Sequence, residues 1–364
     1  MNTRGVASGW VAASVIASLA ILGVVSAADA RKVEYVEEVS RVFSVDPDVK
    51  LILTNTSGDI KVTTWDREEI RIIARKTARG GSSDEAKEYA HDLEVEIRRE
   101  GTRLVMVDTR YPEWGGGGGF LDLLLSRSAS GEIDYRVTVP REAAVVLSCT
   151  SGDVSVEGTG GSLAVSVTSG DVEVTECSGL VTVVATSGDI DVEGIRGNTG
   201  LSATTGDVTI IGVDGDLMVG VTSGDIHCQD VRGSMNLSGS SSQVTVLDSR
   251  GDLEISTSSG DIEVSGFRGA ILVRTKSGDV ELDIELLEDG ECDVSTSSGD
   301  VEMEIPEDGS YGFVIETVSG EVDISMPEEM DVRASKNLVK AKYRGGAQLV
   351  RVSTITGDVY IESR

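Results

Sequence analysis

From about residue 141 onward, apolar and polar positions alternate in short runs that recur at a fixed distance. The tripeptide Ser/Thr-Gly-Asp places its glycine at Gly152, Gly170, Gly188, Gly206 and Gly224, then at Gly260 and Gly278. These are steps of eighteen residues, with Ser242-Gln243 as a degenerate copy in the gap. Longer copies follow at Gly299 and Gly320, each twenty-one residues on, and a last copy stands at Gly357. Counted from the motif glycine, positions +2 and +4 are apolar, as in Val154/Val156, Val172/Val174, Ile190/Val192 and Ile262/Val264. Period two with one apolar face is the pattern of a half-buried strand.

A second glycine stands at +9 in seven successive units, Gly161, Gly179, Gly197, Gly215, Gly233, Gly251 and Gly269. Glycine fixed at one phase implies a backbone angle or a close approach that other residues resist. Another alternating run follows it, as in Leu163-Val165-Val167 and Leu217-Val219-Val221. Each unit is therefore strand, turn, strand, turn. One such coil cannot bury its own apolar face, but coils stacked at the strand spacing of about 4.8 Å form continuous parallel sheets around a continuous core. The expectation is an all-β chain, a parallel β-solenoid of 18-residue coils. A sandwich or propeller would call for hairpin turns and longer blade periods.

The flanks depart from the repeat. Residues 31–140 hold one early copy, Ser57-Gly58-Asp59, and strand-like runs such as Ile70–Ala74 and Leu104–Val107. They also hold a helical stretch from Ser82 to Leu93 with an acidic first turn. This reads as a β-rich capping module with one short helix, covering an end whose open strands would otherwise invite aggregation. Within it, 111–130 is an insertion: Trp114, five glycines from Gly115 to Gly119, then Phe120-Leu121-Asp122-Leu123-Leu124-Leu125. It reads either as a loop folded back on the cap or as a docking segment through Trp114, Phe120, Leu121 and Leu124. Residues 1–30 have Arg4, an apolar run from Val6 to Val25, and the cleavage-like Val25-Ser26-Ala27 and Ala28-Asp29-Ala30, which is the pattern of a signal peptide. An uncleaved N-terminal anchor is the alternative. The expected organisation is leader 1–30, capping module 31–140, solenoid 141–327, and C-terminal coils or cap 328–364.

Composition then narrows the partners. Aromatic residues make up 4%, so the core must be aliphatic. Lys and Arg number 32 against 62 Asp and Glu, a net charge of −30, which repels nucleic-acid backbones and anionic lipid surfaces and favours a soluble monomer. An exported protein is expected in the periplasm, the cell envelope or outside the cell.

The segment Leu51–Val62 (Leu-Ile-Leu-Thr-Asn-Thr-Ser-Gly-Asp-Ile-Lys-Val), the run Tyr135–Pro140 and the Ser-Gly-Asp-Val units after it carry a family likeness. Over roughly 35–364 the chain resembles the putative-adhesin β-strand-repeat domain of bacterial envelope proteins, a family of unknown function. The resemblance implies a β-repeat fold and brings no catalytic residues with it.

Several columns of side chains follow from stacking. The Asp after each motif glycine, Asp153, Asp171, Asp189, Asp207 and Asp225 and on to Asp261, Asp279 and Asp300, would form a ladder. Carboxylates one coil apart repel, so the ladder needs turn N–H groups of the Asx type or cations between its rungs. A calcium ladder is the cofactor alternative, although the fuller Gly-Gly-x-Gly-x-Asp pattern of calcium-binding rolls is missing. Glu157, Glu173, Asp191, Glu193, Glu263, Glu281, Asp283, Glu302 and Glu304 would make an acidic outer face. Ser166/Thr168, Ser202/Thr204, Ser238/Ser240 and Ser256/Ser258 would make a hydroxyl face, the expected place for solvent or a glycan. Arg196, Arg232, Arg250 and Arg268 would stack beside the +9 glycines and pair with nearby acids, as would the C-terminal Arg333, Lys336, Lys340, Lys342, Arg344 and Arg351. Cys149, Cys177, Cys228 and Cys292 fall on apolar phases and are expected as buried thiols, with Cys149–Cys177 the one conceivable disulfide. The two histidines, His91 and His227, complete no nucleophile motif or metal-ligand spacing. The leading expectation is a non-catalytic envelope protein that binds polysaccharide or protein through repetitive faces. A scaffold acting through 114–125 and a carbohydrate-active enzyme on a β-helix are the alternatives.

Overall fold

The computed structural model describes residues 32–112, 129–287 and 290–364. The leader and most of the 111–130 insertion, including Trp114, Phe120, Leu121 and Leu124, lie outside the described residues. Among those described, strands form two long sheets of fifteen and sixteen strands, mostly parallel. Each coil gives one strand to each sheet. In the Gly170 coil, Leu163–Ser169 precedes the motif and joins the leading sheet, and Val172–Thr175 follows it and joins the trailing sheet. The expected β-solenoid is the fold.

Register follows from the even spacing. Val165 pairs with Leu147 below and Val183 above, and Val174 with Val156 and Val192. A strand displaced by one residue would turn its whole apolar set outward, so an eighteen-residue step with no slip keeps aliphatic residues on aliphatic residues. The inward rows are almost fully buried and drawn mostly from Val, Ile, Leu and Ala, as the scarcity of aromatic residues requires.

A third corner was not anticipated from the sequence. At +6 the backbone takes a left-handed turn in seven successive coils, at Gly158, Glu176, Gly194, Gly212, Asp230, Asp248 and Gly266, with φ between +50° and +79°. The turn swings position +7 inward, so Thr159, Cys177, Ile195, Val213, Val231, Ser249 and Phe267 are buried, where strict alternation from +2 and +4 would put them outside. Left-handed turns favour glycine and tolerate Asp, which accounts for all but Glu176.

Coils do not stack in chain order at the ends. Lys50–Ser57 lies between Leu104–Arg110 and Ala144–Ser151, and Ile60–Trp65 lies between Ser130–Pro140 and Val154–Glu157. At the other end Gln348–Thr356 is inserted between Glu291–Ser295 and Tyr311–Ser319, and Val359–Ser363 between Val301–Ile305 and Val322–Ser325. The motif glycines thus stack in the order Gly299, Gly357, Gly320, whereas sequence spacing suggested Gly320 before Gly357. Antiparallel strands finish the ends: Glu69–Gly80 and Val33–Ser44 on the trailing sheet, Glu94–Glu100 and the pair Leu338–Tyr343 and Asp331–Ser335 on the leading sheet. The helix Ser83–Asp92 closes the N-terminal end of the core with Ala86, Tyr89 and Ala90, joined by its C-cap Leu93. Its N-cap Ser82 accepts from the Glu85 N–H at 3.2 Å, and the Glu85 carboxylate accepts from the Gly81 N–H at 2.9 Å. These contacts satisfy amides that a helix start leaves unpaired.

Candidate binding surfaces

The motif corner is built on backbone approach. A Cβ placed on Gly188 would lie 2.1 Å from the Gly170 carbonyl oxygen, and one on Gly206 2.2 Å from that of Gly188. No side chain fits, so the corners nest directly on one another. The aspartates are held by this nesting. Asp171 N–H donates to Asp153 Oδ1 at 2.9 Å, Asp189 to Asp171 at 2.9 Å, Asp207 to Asp189 at 2.8 Å and Asp225 to Asp207 at 2.8 Å. The series continues through Asp279, Asp300 and Asp358. The acceptor relation therefore runs from one coil to the next, and an Asx turn within one coil is not what the aspartates make. Each bond satisfies a corner amide that the strand ladder leaves free, and a charged acceptor makes it a strong one. The second corner repeats the device in part, with Asp216 N–H on Asn198 Oδ1 at 3.2 Å and Ser234 N–H on Asp216 Oδ1 at 3.1 Å.

The outer faces lie where the repeat put them. Glu173, Asp191, Glu263, Glu281 and Glu302 are exposed on the trailing sheet, and the Ser166/Thr168, Ser202/Thr204, Ser238/Ser240 and Ser256/Ser258 pairs on the leading sheet. His227 is half-buried between Thr209 and Thr245 on the acidic face. In the arginine column Arg232 meets Asp230 at 3.0 Å and Arg268 meets Glu285 at 2.9 Å. In the C-terminal basic group Arg344 meets Glu328 and Arg351 meets Glu291, both at 2.6 Å.

All four cysteines are buried and unbridged. Burial pushes the Cys149 thiol up to about 11 and the Cys228 and Cys292 thiols up to about 12. Cys177 accepts from the Thr159 hydroxyl at 3.1 Å. Among the described residues no three His, Cys, Asp or Glu side chains converge as metal ligands, and no helix is long and apolar enough to cross a membrane.

The sequence did not point to a groove of about 970 Å³ along the leading sheet, from Leu180 at one end to Arg351 at the other. Exposed Leu180 and Met218 and the strand-interior Gly200 line it, with Thr182 next to Gly200 and Asn236 next to Met218. Leu180, Gly200 and Met218 break the outward polar pattern at scattered phases, so no periodic signal announced them. Comparing the outward positions of the coils one by one would have exposed Leu180, Val184 and Met218 as departures.

Two stretches, residues 48–221 and 213–362, match the family model described as Toastrack DUF4097. No curated protein matches the chain. Among solved structures, a putative cell adhesion protein from Clostridium sporogenes is 10% identical, covering 90% of this chain and 100% of its own, with a TM-score of 0.17. A putative adhesin from Bacteroides fragilis is 11% identical, with 90% and 97% covered and a TM-score of 0.24. One from Parabacteroides distasonis is 10% identical, with the same coverages and TM-score.

Proposed function

Since the chain belongs to the Toastrack DUF4097 family, we propose that it is an exported, non-catalytic binding protein of the bacterial cell envelope. Its long repetitive faces would hold polysaccharide or another protein. The observation that carries this reading is the long outer surface of the leading sheet, where the hydroxyl column Thr168, Thr186, Thr204, Thr222, Ser240 and Ser258 recurs coil after coil on a backbone locked by nested glycines and the aspartate ladder. A rigid array of this kind offers the same contact many times, and repeated weak contacts add up on a repetitive ligand. The acids of the trailing sheet are spread over many coils by the repeat, whereas a glycosidase needs two carboxyls set apart in one cleft.

The test is co-sedimentation of the full chain with isolated cell-wall and membrane fractions, with and without a calcium chelator. Saturable pelleting with one fraction supports the reading. Loss on chelation would add a cation to the aspartate ladder. Absence of pelleting with any fraction would overturn it.

A further inference from the structure

Gly200 and Gly220 sit in the interiors of the strands Thr199–Thr205 and Leu217–Ser223 and face outward from the leading sheet. The fold requires neither. Neither has a positive φ. A Cβ on Gly200 would meet nothing within 4 Å, and one on Gly220 only the Ser238 hydroxyl at 3.5 Å, an ordinary contact. The motif and +9 glycines differ, since a Cβ on each would abut a backbone carbonyl of the neighbouring coil. A glycine inside a strand weakens it by chain entropy and lost packing, and often marks a place where a ligand or another backbone comes close. Two such glycines on adjacent coils leave a depression floored by bare backbone. Gly200 lies in register between Thr182 and Met218, and Gly220 between Ser202 and Ser238. The apolar wall is unusually open for such side chains: Leu180, Val184 and Met218 are 57%, 45% and 66% exposed.

We infer that this groove binds a neutral glycan chain, with Gly200 letting sugar rings reach the backbone inside the groove and Gly220 extending the gap on the next coil beside it. Leu180 and Met218 in the groove, and Val184 beside it, offer C–H surface to ring faces, while Thr182 and Asn236 in the groove, and Ser202 beside it, offer hydroxyl and amide groups to ring substituents. Charge decides against anionic polymers. Asp216, Asp252 and Glu254 line the groove, and its two guanidinium groups are already engaged, Arg274 with Glu254 at 3.2 Å and Arg351 with Glu291 at 2.6 Å. No phosphate, sulfate or carboxylate would find an unpaired cation there. A chain of pyranose rings has a repeat close to the strand spacing of about 4.8 Å, so successive rings meet successive coils. The inference rests on the reading that the leading sheet binds envelope material, and it names the ligand class and the place.

The test uses the full chain and the variant Gly200→Val/Gly220→Val, titrated calorimetrically with cellohexaose, the chitin hexasaccharide and polygalacturonate. Valine suits an outward strand position, so the variant is expected to melt no lower than the parent while losing at least tenfold in affinity for a neutral hexasaccharide. Met218→Asp, at a mostly exposed position, is expected to lose affinity likewise at unchanged melting temperature. Unchanged affinity in both variants, a lowered melting temperature of the glycine variant, preference for polygalacturonate, or no binding of either neutral hexasaccharide would each overturn the inference. Co-sedimentation separates it from the broader reading. If parent and glycine variant pellet equally with envelope material, the site falls and the binding function stands; if neither pellets, both fall.

Discussion

Gly188 illustrates how a single residue type is dictated at the corners. Its φ is +128°, and a Cβ would sit 2.1 Å from the Gly170 carbonyl oxygen, so both conformation and space exclude a side chain. Gly188→Ala is expected to lower stability by about 1–3 kcal/mol from backbone strain alone, and by more if the coils must part, as read from urea unfolding. Among the eighteen-residue coils, the one without a motif glycine shows how the fold compensates. Ser242 is 2% exposed and turned inward, its Oγ has no hydrogen-bond partner, and a Cβ on Gly239 would lie 2.8 Å from the Ser242 Cβ. Gly239 occupies the phase held elsewhere by Val167, Ala185, Ala203, Val221 and Thr257. The glycine has moved three residues upstream to make room for the serine. Gly239→Val alone should cost about 1–3 kcal/mol through overpacking. Combined with Ser242→Gly it should restore at least parental stability, because the pair then matches the other coils. A double-mutant cycle checks this, and simple additivity of the two changes would refute the compensation.

Between one coil and the next, the aspartate ladder and the buried thiols are the informative groups. Asp207 accepts the Asp225 N–H at 2.8 Å and donates its own N–H to Asp189 Oδ1. Asp207→Ala removes an acceptor and is expected to cost about 1–3 kcal/mol, whereas Asp207→Asn keeps an oxygen in place, removes a charge from a column of like charges and should cost less. Thermal unfolding of the two variants decides it. The thiols set the alkaline limit. Burial holds Cys149, Cys228 and Cys292 protonated up to about 11, 12 and 12, against an ordinary value of 9.0. Below pH 9 folded and unfolded chains carry the same thiol protons and these groups add no pH dependence. Between pH 9 and about 12 the unfolded chain releases protons that the folded chain keeps, so stability should fall as pH rises. The same burial predicts no reaction with a thiol reagent at pH 8 until the chain unfolds, when four thiols should appear.

The whole molecule is interlocked at both ends. The last coil of the chain, Gln348–Ser363, is an interior rung, with the Gly299 coil on one side and the Gly320 coil on the other. Ending the chain after Arg344 would therefore open a slot in both sheets, whereas loss of a terminal rung would only shorten the stack. Hydrogen exchange should show protection lost together in Glu291–Ser295 and Tyr311–Ser319; loss confined to one of them would contradict the interlocked order. Closing contacts so distant in sequence costs loop entropy, which places the end coils among the later parts to form.

The repeat by itself determined the coil, the two sheets, the inward rows and the glycine corners, because an exact eighteen-residue period leaves one register that buries every apolar face. It also determined the helix Ser83–Asp92 within one residue at each end, since a serine cap and an acidic first turn are local chemistry. It did not reveal the left-handed +6 corner, where glycine stands in only four of seven coils and Asp or Glu in the others. Nor did it reveal the order of the end coils, since alternating apolar strands fit equally well in either order and only the connections choose. The direction of the aspartate bonds and the groove lined by Thr182, Gly200, Met218 and Asn236 likewise depended on tertiary structure. Both are relations between residues eighteen apart, and only stacking brings them into contact.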